Sequence, residues 1–334
     1  MRTEINSASV EYHGDLDKAL LSYLREEANI TTPKDGCAPQ AACGCCVVQI
    51  DGKPVLSCVK KMGDVADKKV TTLDGVSEYR RQVYANAFVN AGGLQCGFCI
   101  PGIVMQADGL IRRNPDPSRA DVEKVLTPHL CRCTGYKKIV DAIIEAARAI
   151  KVGDTISLIA TNGTIGERQP RYNGKMFVLG EHDYTDDIRM DDMLYGALKF
   201  SDHPRAVING IDCSDALGIE GVVEILTADD IPGKRYIGLI KNDWPLMVGV
   251  GDTTCYIGDV IAGVIAEDEE TARLAVDAIK VEYDILDPIV NTVDALSNEH
   301  DVVHAGESTN ILSETMIRRE MLKKQKKRAY IVVL

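Results

Sequence analysis

The sequence lacks several features that would narrow its class at once. No apolar run approaches the roughly 18 residues needed to cross a bilayer, and the start, Met1-Arg2-Thr3-Glu4-Ile5, has no apolar core of a secretory signal. These two absences point to a cytoplasmic chain with no membrane span. It has no surplus of positive charge: 38 basic against 50 acidic residues leave a net charge of -12, which argues against a nucleic-acid binder, since phosphate contacts need Lys and Arg surfaces. One basic run, Arg318 to Arg328, holds seven basic residues and the single acid Glu320, and reads as a solvated or helical face. There is no internal repeat of fixed period. The glycine pair in Gly249-Val250-Gly251-Asp252 has neither a full GxGxxG nor a Walker lysine, so it is no nucleotide loop.

What is present is a chain of 334 residues, too long for one small core, with 45 % hydrophobic and 26 % charged residues. That is ordinary globular composition and implies more than one domain. Cysteine is the exception. Of 11 cysteines, nine lie between Cys37 and Cys133, and only Cys213 and Cys255 follow. In a reducing compartment disulfides are not expected to persist, so clustered thiols point first to metal or catalysis.

The first eighty residues read as a small mixed domain. Ile5 to Glu11 is a candidate strand, and Leu16, Leu20, Leu21 and Leu24 recur at helical spacing. Asp51-Gly52 between two strand-like runs predicts a tight hairpin that returns Cys58 toward Cys46. From Glu78 onward the pattern is helical, with helices expected over 79–91, 102–113, from Ser118 to about Leu126, and from about Tyr136 to Ile150. Asn114-Pro115-Asp116-Pro117 stops the second helix, and Ser118 with Asp121 forms a capping box for the third. Polar, glycine-containing residues 153–175 read as a linker. Beyond it, strand-like runs at 222–226, 260–266 and 278–283 surround a helix at 269–278 and predict a second α+β domain.

Two cysteine constellations carry the chemistry. Cys37-x5-Cys43-x2-Cys46-x11-Cys58 sets three thiols on one loop and a fourth on the returning hairpin, close to the plant-type ferredoxin spacing. Gly36 and Gly44 allow the backbone to wrap an anionic group and aim N–H groups at it. The second set is Cys96, Cys99, Cys131 and Cys133, each pair just ahead of a predicted helix whose N-terminal N–H groups and dipole favour an anion. Structural zinc also takes four thiolates. Two adjacent four-cysteine groups, one of them ferredoxin-like, favour iron–sulfur. His182, His203, His300 and His304 are too dispersed for metal spacing, and Cys213 and Cys255 read as packing residues.

The segments Lys34-Asp35-Gly36-Cys37, Cys43-Gly44-Cys45-Cys46, Cys58, QCGFCIPG (95–102) and LCRCTGY (130–136) resemble the two-cluster [2Fe-2S] subunit of molybdenum hydroxylases, the xanthine dehydrogenase and aldehyde oxidase family. Past the linker, Gly180 to Ile188, Ser201 to Ala206, Leu226 to Gly233, Tyr256 to Ala262 and Val281 to Tyr283 look like the a/b hammerhead domain of the same family. The resemblance implies a multidomain α+β chain: a β-grasp ferredoxin-like domain over 1–76, a four-helix [2Fe-2S]-binding domain over 77–152, a linker over 153–175, the hammerhead over 176–315, and the entry to a molybdopterin-binding domain over 316–334. It implies Cys37, Cys43, Cys46 and Cys58 as ligands of one [2Fe-2S] cluster and Cys96, Cys99, Cys131 and Cys133 as ligands of another, with Gln95 a cofactor-side contact. Cys45 stands where the family commonly has Ala and is expected to be no ligand, and the five-residue Cys37–Cys43 spacing exceeds the family's usual four. The implied function is relay of electrons from a molybdopterin centre to a flavin or other acceptor. Molybdopterin and FAD are expected on partner chains, a molybdopterin-binding subunit and an FAD-binding subunit, so no complete substrate-converting site is expected here. The competing expectations are a zinc-stabilised docking subunit and a remnant of a split gene.

Overall fold

A computed structural model describes residues 1–239, 241–297, 302–304, 307–315 and 331–333. The basic run at 318–328, His300, and all of the expected molybdopterin-domain entry except 331–333 lie outside the described residues. The chain divides into two compact units, Met1–Ile188 and Arg189–Leu334.

The first unit opens with a five-stranded sheet in the order Ala8–Glu11, Arg2–Ile5, Lys69–Thr71, Val47–Ile50, Lys53–Leu56. Arg2–Ile5 runs parallel to Lys69–Thr71, and the other pairings are antiparallel. The single strand expected over 5–11 is instead the turn and second strand of a hairpin, because Asn6 and Ser7 both take positive φ and reverse the chain between Ile5 and Ala8. Asp51 and Gly52 make the same kind of turn where it was expected. Leu20, Leu24, Val48, Ile50, Met62 and Val70 form the core beneath the sheet. Leu16 is left out of it: the helix begins only at Leu20 and continues as a wide π turn over Tyr23–Glu27.

Four helices follow: Glu78–Ala91, Ile100–Arg113, Arg119–Leu126 and Lys137–Val152. Their ends obey local chemistry. Gly92 and Gly153 close the first and last in the left-handed conformation, Pro101 sits in the first turn of the second, and the Ser118–Asp121 capping box opens the third. Tyr84, Phe88, Ile103, Ile111, Ile139 and Ile143 meet in one buried cluster. The helices are tied to the sheet by Asp108, whose fully buried carboxylate takes hydrogen bonds from Arg80, Arg112, Tyr84 and the Gln49 amide on the sheet.

Residues 154–169 are largely exposed, as linker composition predicts. Gly174–Leu179 forms a short helix with Val178 and Leu179 buried in the helical core, and the first compact unit runs to Ile188.

In the second unit a three-stranded antiparallel sheet has the order Tyr195–Phe200, Val260–Ala266, Val222–Thr227, and Ala206–Asp212 pairs with Lys280–Ile285. The helix Glu269–Ala278, capped by Asp268, packs Ala272 and Ala275 inward. Cys213 is a half-buried packing residue beside this core.

Candidate metal centres

The first cysteine loop is built around its own backbone. The Asp35 carboxylate accepts from the Cys37 and Ala38 N–H groups and turns the chain after Gly36. Ala38 and Ala41 then take positive φ, which accommodates the extra residue between Cys37 and Cys43. The Gln40 N–H points at Cys37 Sγ at 3.2 Å. Burial pushes the Cys37 thiol up, but N–H groups of Ala42, Gln40 and Cys43 and the Cys43 thiol outweigh it, so the net shift favours thiolate. Gly44 makes the left-handed turn toward Cys46, and Ser57 donates both its N–H and its hydroxyl to the Cys46 carbonyl, which docks the Cys58 turn. The Cys43 thiol interacts with those of both Cys37 and Cys45, and the Cys46 thiol with that of Cys58. Burial, then the neighbouring Cys46, pushes Cys58 up to about 12. A bound cation would reverse that shift, since a coordinating thiol is deprotonated outright.

The second site is assembled from two motifs. Cys96 and Cys133 lie on the exposed edge with their sulfurs 3.7 Å apart, while Cys99 and Cys131 pair on the buried side. Cys99 is the N-cap residue of the Ile100–Arg113 helix, and Gly97 supplies the positive φ just before it. The Thr134 hydroxyl lies 3.1 Å from Cys131 Sγ, and the Tyr136 hydroxyl joins the Cys131 N–H to the His129 carbonyl. Burial again opposes ionisation of Cys131, but Thr134 and the N–H groups of Cys133 and Thr134 hold its pKa below the usual thiol value. The exposed Gln95 amide donates to the Cys133 carbonyl at 2.9 Å, so in this structure it staples the two motifs together. Among the described residues no three ligating side chains meet around one ion position.

The two sites adjoin. The Leu130 N–H donates to the Cys43 carbonyl at 2.9 Å. A Cβ added at Gly102 would sit 2.5 Å from the Gly44 carbonyl and 2.8 Å from that of Cys45, so the second-site helix rests on the first-site backbone. Cys45 is buried between the two sets: its thiol interacts with Cys43 and adds to the upward shift of Cys99, and burial raises its own pKa strongly.

Sequence reasoning missed His129. It is 3 % exposed, lies against Gly44, and neither ring nitrogen has a hydrogen-bond partner. Burial pushes its pKa down to about 4, so the ring is neutral at pH 7. Its place directly before the LCRC motif was the available signal. Tyr184 and Asp187, which also reach the site, were assigned by sequence to the following domain.

Residues 72–144 match the family described as "[2Fe-2S] binding domain", and residues 179–287 match "Aldehyde oxidase and xanthine dehydrogenase, a/b hammerhead domain". The aldehyde oxidoreductase of Megalodesulfovibrio gigas is 34 % identical over 335 residues, covering 95 % of this chain and 37 % of the relative. The nicotinate dehydrogenase small FeS subunit of Eubacterium barkeri is 38 % identical over 128 residues, covering 38 % of this chain and 81 % of that subunit. Among solved structures, the aldehyde oxidoreductase from Desulfovibrio gigas superposes with a TM-score of 0.84 at 32 % identity, over 92 % of this chain and 36 % of that one. This chain thus spans little more than a third of its long relatives and most of the short one. It belongs to the xanthine dehydrogenase and aldehyde oxidase family of molybdenum hydroxylases, of which it carries the iron–sulfur portion and the hammerhead domain.

Proposed function

We propose that this chain relays electrons one at a time through two [2Fe-2S] clusters, from a molybdopterin centre on other domains or a partner chain to a flavin or another acceptor, in a cytoplasmic setting. The ligands are Cys37, Cys43, Cys46 and Cys58 for one cluster and Cys96, Cys99, Cys131 and Cys133 for the other. The sheet is read as a β-grasp ferredoxin-type domain and the helices as the four-helix cluster domain.

The observation that carries this reading is the match of residues 72–144 to the [2Fe-2S] binding domain, whose two cysteine motifs the fold brings together with the Cys96 and Cys133 sulfurs 3.7 Å apart. When bound, the clusters supply the one-electron chemistry; the chain supplies position and field. N–H groups around Cys37 and Cys131 favour the anionic ligand, and the exposed Cys96–Cys133 edge leaves the second site open toward a redox partner. Gln95 lies on that edge.

Purified chain reconstituted with iron and sulfide tests the proposal. Two distinct S = 1/2 signals are expected on reduction, and Cys99→Ser should remove one and leave the other. A colourless protein with stoichiometric zinc and no such signal would establish the zinc-scaffold reading instead.

A further inference from the structure

Residues 174–188 follow an exposed linker yet are held against the first cysteine site by buried ion pairs and against the second by a surface hydrogen bond and ring packing. Asp187 and Lys34 side chains are each 1 % exposed, with Lys34 Nζ 2.5 Å from Asp187 Oδ2. Arg25 donates to the other Asp187 oxygen at 2.9 Å, and the Tyr184 N–H donates to Oδ2, so the carboxylate is fully engaged. Lys34 belongs to the first site: its own N–H donates to the Cys45 carbonyl. Tyr184 belongs to the second: its hydroxyl donates to the Cys96 carbonyl at 2.6 Å, and its ring packs edge-on against Phe98. The Lys34 ammonium lies over that same ring at 5.1 Å. Gly97 has no side chain where Phe177 presses on it, since an added Cβ would be 2.7 Å from Phe177 Cβ. Gly180 is likewise wedged between Thr32 and Pro101.

Buried ion pairs cost desolvation and are tolerated only when every polar group is satisfied; their recognised benefit is register. Here the pair joins residues 153 positions apart across a linker. We propose that residues 174–188 act as a clasp that closes the Cys96–Cys99 loop and, through the Lys34–Asp187 pair, sets the second cysteine site against the first. The inference rests on the two-cluster reading for its spectroscopic consequence, but the clasp itself is a property of the chain alone.

Two measurements on the full chain separate these. A specific protease site is placed in the exposed stretch 160–168, and the cut protein is analysed by gel filtration. The piece carrying the clasp should stay with the piece carrying the cysteines, and Asp187→Ala should weaken that association at least tenfold. Separation of the parent pieces, or an association unchanged by Asp187→Ala, overturns the clasp. In reconstituted uncut protein, Tyr184→Phe and Asp187→Asn are exposed to an iron chelator. One reduced-state EPR signal should be lost several-fold faster than in the parent, with the other lost at the parent rate. Unchanged loss of both signals, or equal acceleration of both, overturns it. Absence of any signal in the parent would sink the relay reading and leave the gel-filtration result standing.

Discussion

Replacing Gly102 with Ala sets two opposing effects against each other, and the structure decides the sign. In a helix interior, Gly→Ala ordinarily stabilises by about 1 kcal/mol through lower chain entropy. Gly102 is the third residue of the Ile100–Arg113 helix, and its added Cβ would fall 2.5 Å from the Gly44 carbonyl oxygen and 2.8 Å from that of Cys45. These are backbone atoms of the first-site loop, so no side-chain rotamer can swing away. Restoring ordinary contact near 3.4 Å requires helix and loop to part by about 0.9 Å. Overpacking of this kind costs about 1–3 kcal/mol, and two rigid backbones place it near the upper end. The net effect is a loss of about 2 kcal/mol, or roughly 4–8 °C in melting temperature for a unit of this size. Gly102→Val should lose more. Thermal unfolding followed by circular dichroism measures both. A Gly102→Ala variant that melts at or above the parent temperature would refute the close backbone approach, and with it the argument that this contact spaces the two sites.

Three further outcomes follow from other parts of the first unit. Cys45→Ala should retain both EPR signals and full iron content, because Cys45 lies outside both proposed ligand quartets; loss of one signal would make it a ligand. Asp108→Asn should lower stability at pH 7 by roughly 3 kcal/mol by leaving the half-buried Arg80 without its buried anion. Burial alone would raise the Asp108 pKa, but Arg112, Arg80 and Gln49 hold it below the usual carboxylate range. Its stabilisation is therefore present above the unfolded value of about 4 and is lost as pH falls toward the depressed native value, so the gap between parent and variant in urea unfolding should shrink below about pH 4. Ser118→Ala should cost about 1 kcal/mol by removing the cap of the Arg119–Leu126 helix, and an unchanged urea midpoint would show the cap to be idle.

The parts of this molecule that were legible in one dimension are those whose chemistry is local. Asp51-Gly52, the Ser118–Asp121 box and the stop at Asn114-Pro115 act within a few residues and stand where spacing put them. The eight cysteines proposed as ligands are legible because their spacing within each motif is local. Illegible features have partners far along the chain. Asn6-Ser7 reverses the chain without glycine, helped by Asn6 hydrogen bonds to Thr72, 66 residues away. Asp187 is bound to Lys34 and Arg25, 153 and 162 residues earlier, which no local pattern signals.

The space between the two cysteine sites obeys a different logic from the sites themselves. No ligand sets it. It is fixed partly by side chains that are missing: a Cβ at Gly36 would lie 3.2 Å from Cys43 Sγ, Cys45 Sγ and the Phe98 ring, and one at Gly44 would overlap the His129 ring. It is filled by the buried Cys45 thiol and the neutral, buried His129 ring. The glycines and these two buried side chains together bring the two cysteine sites near each other.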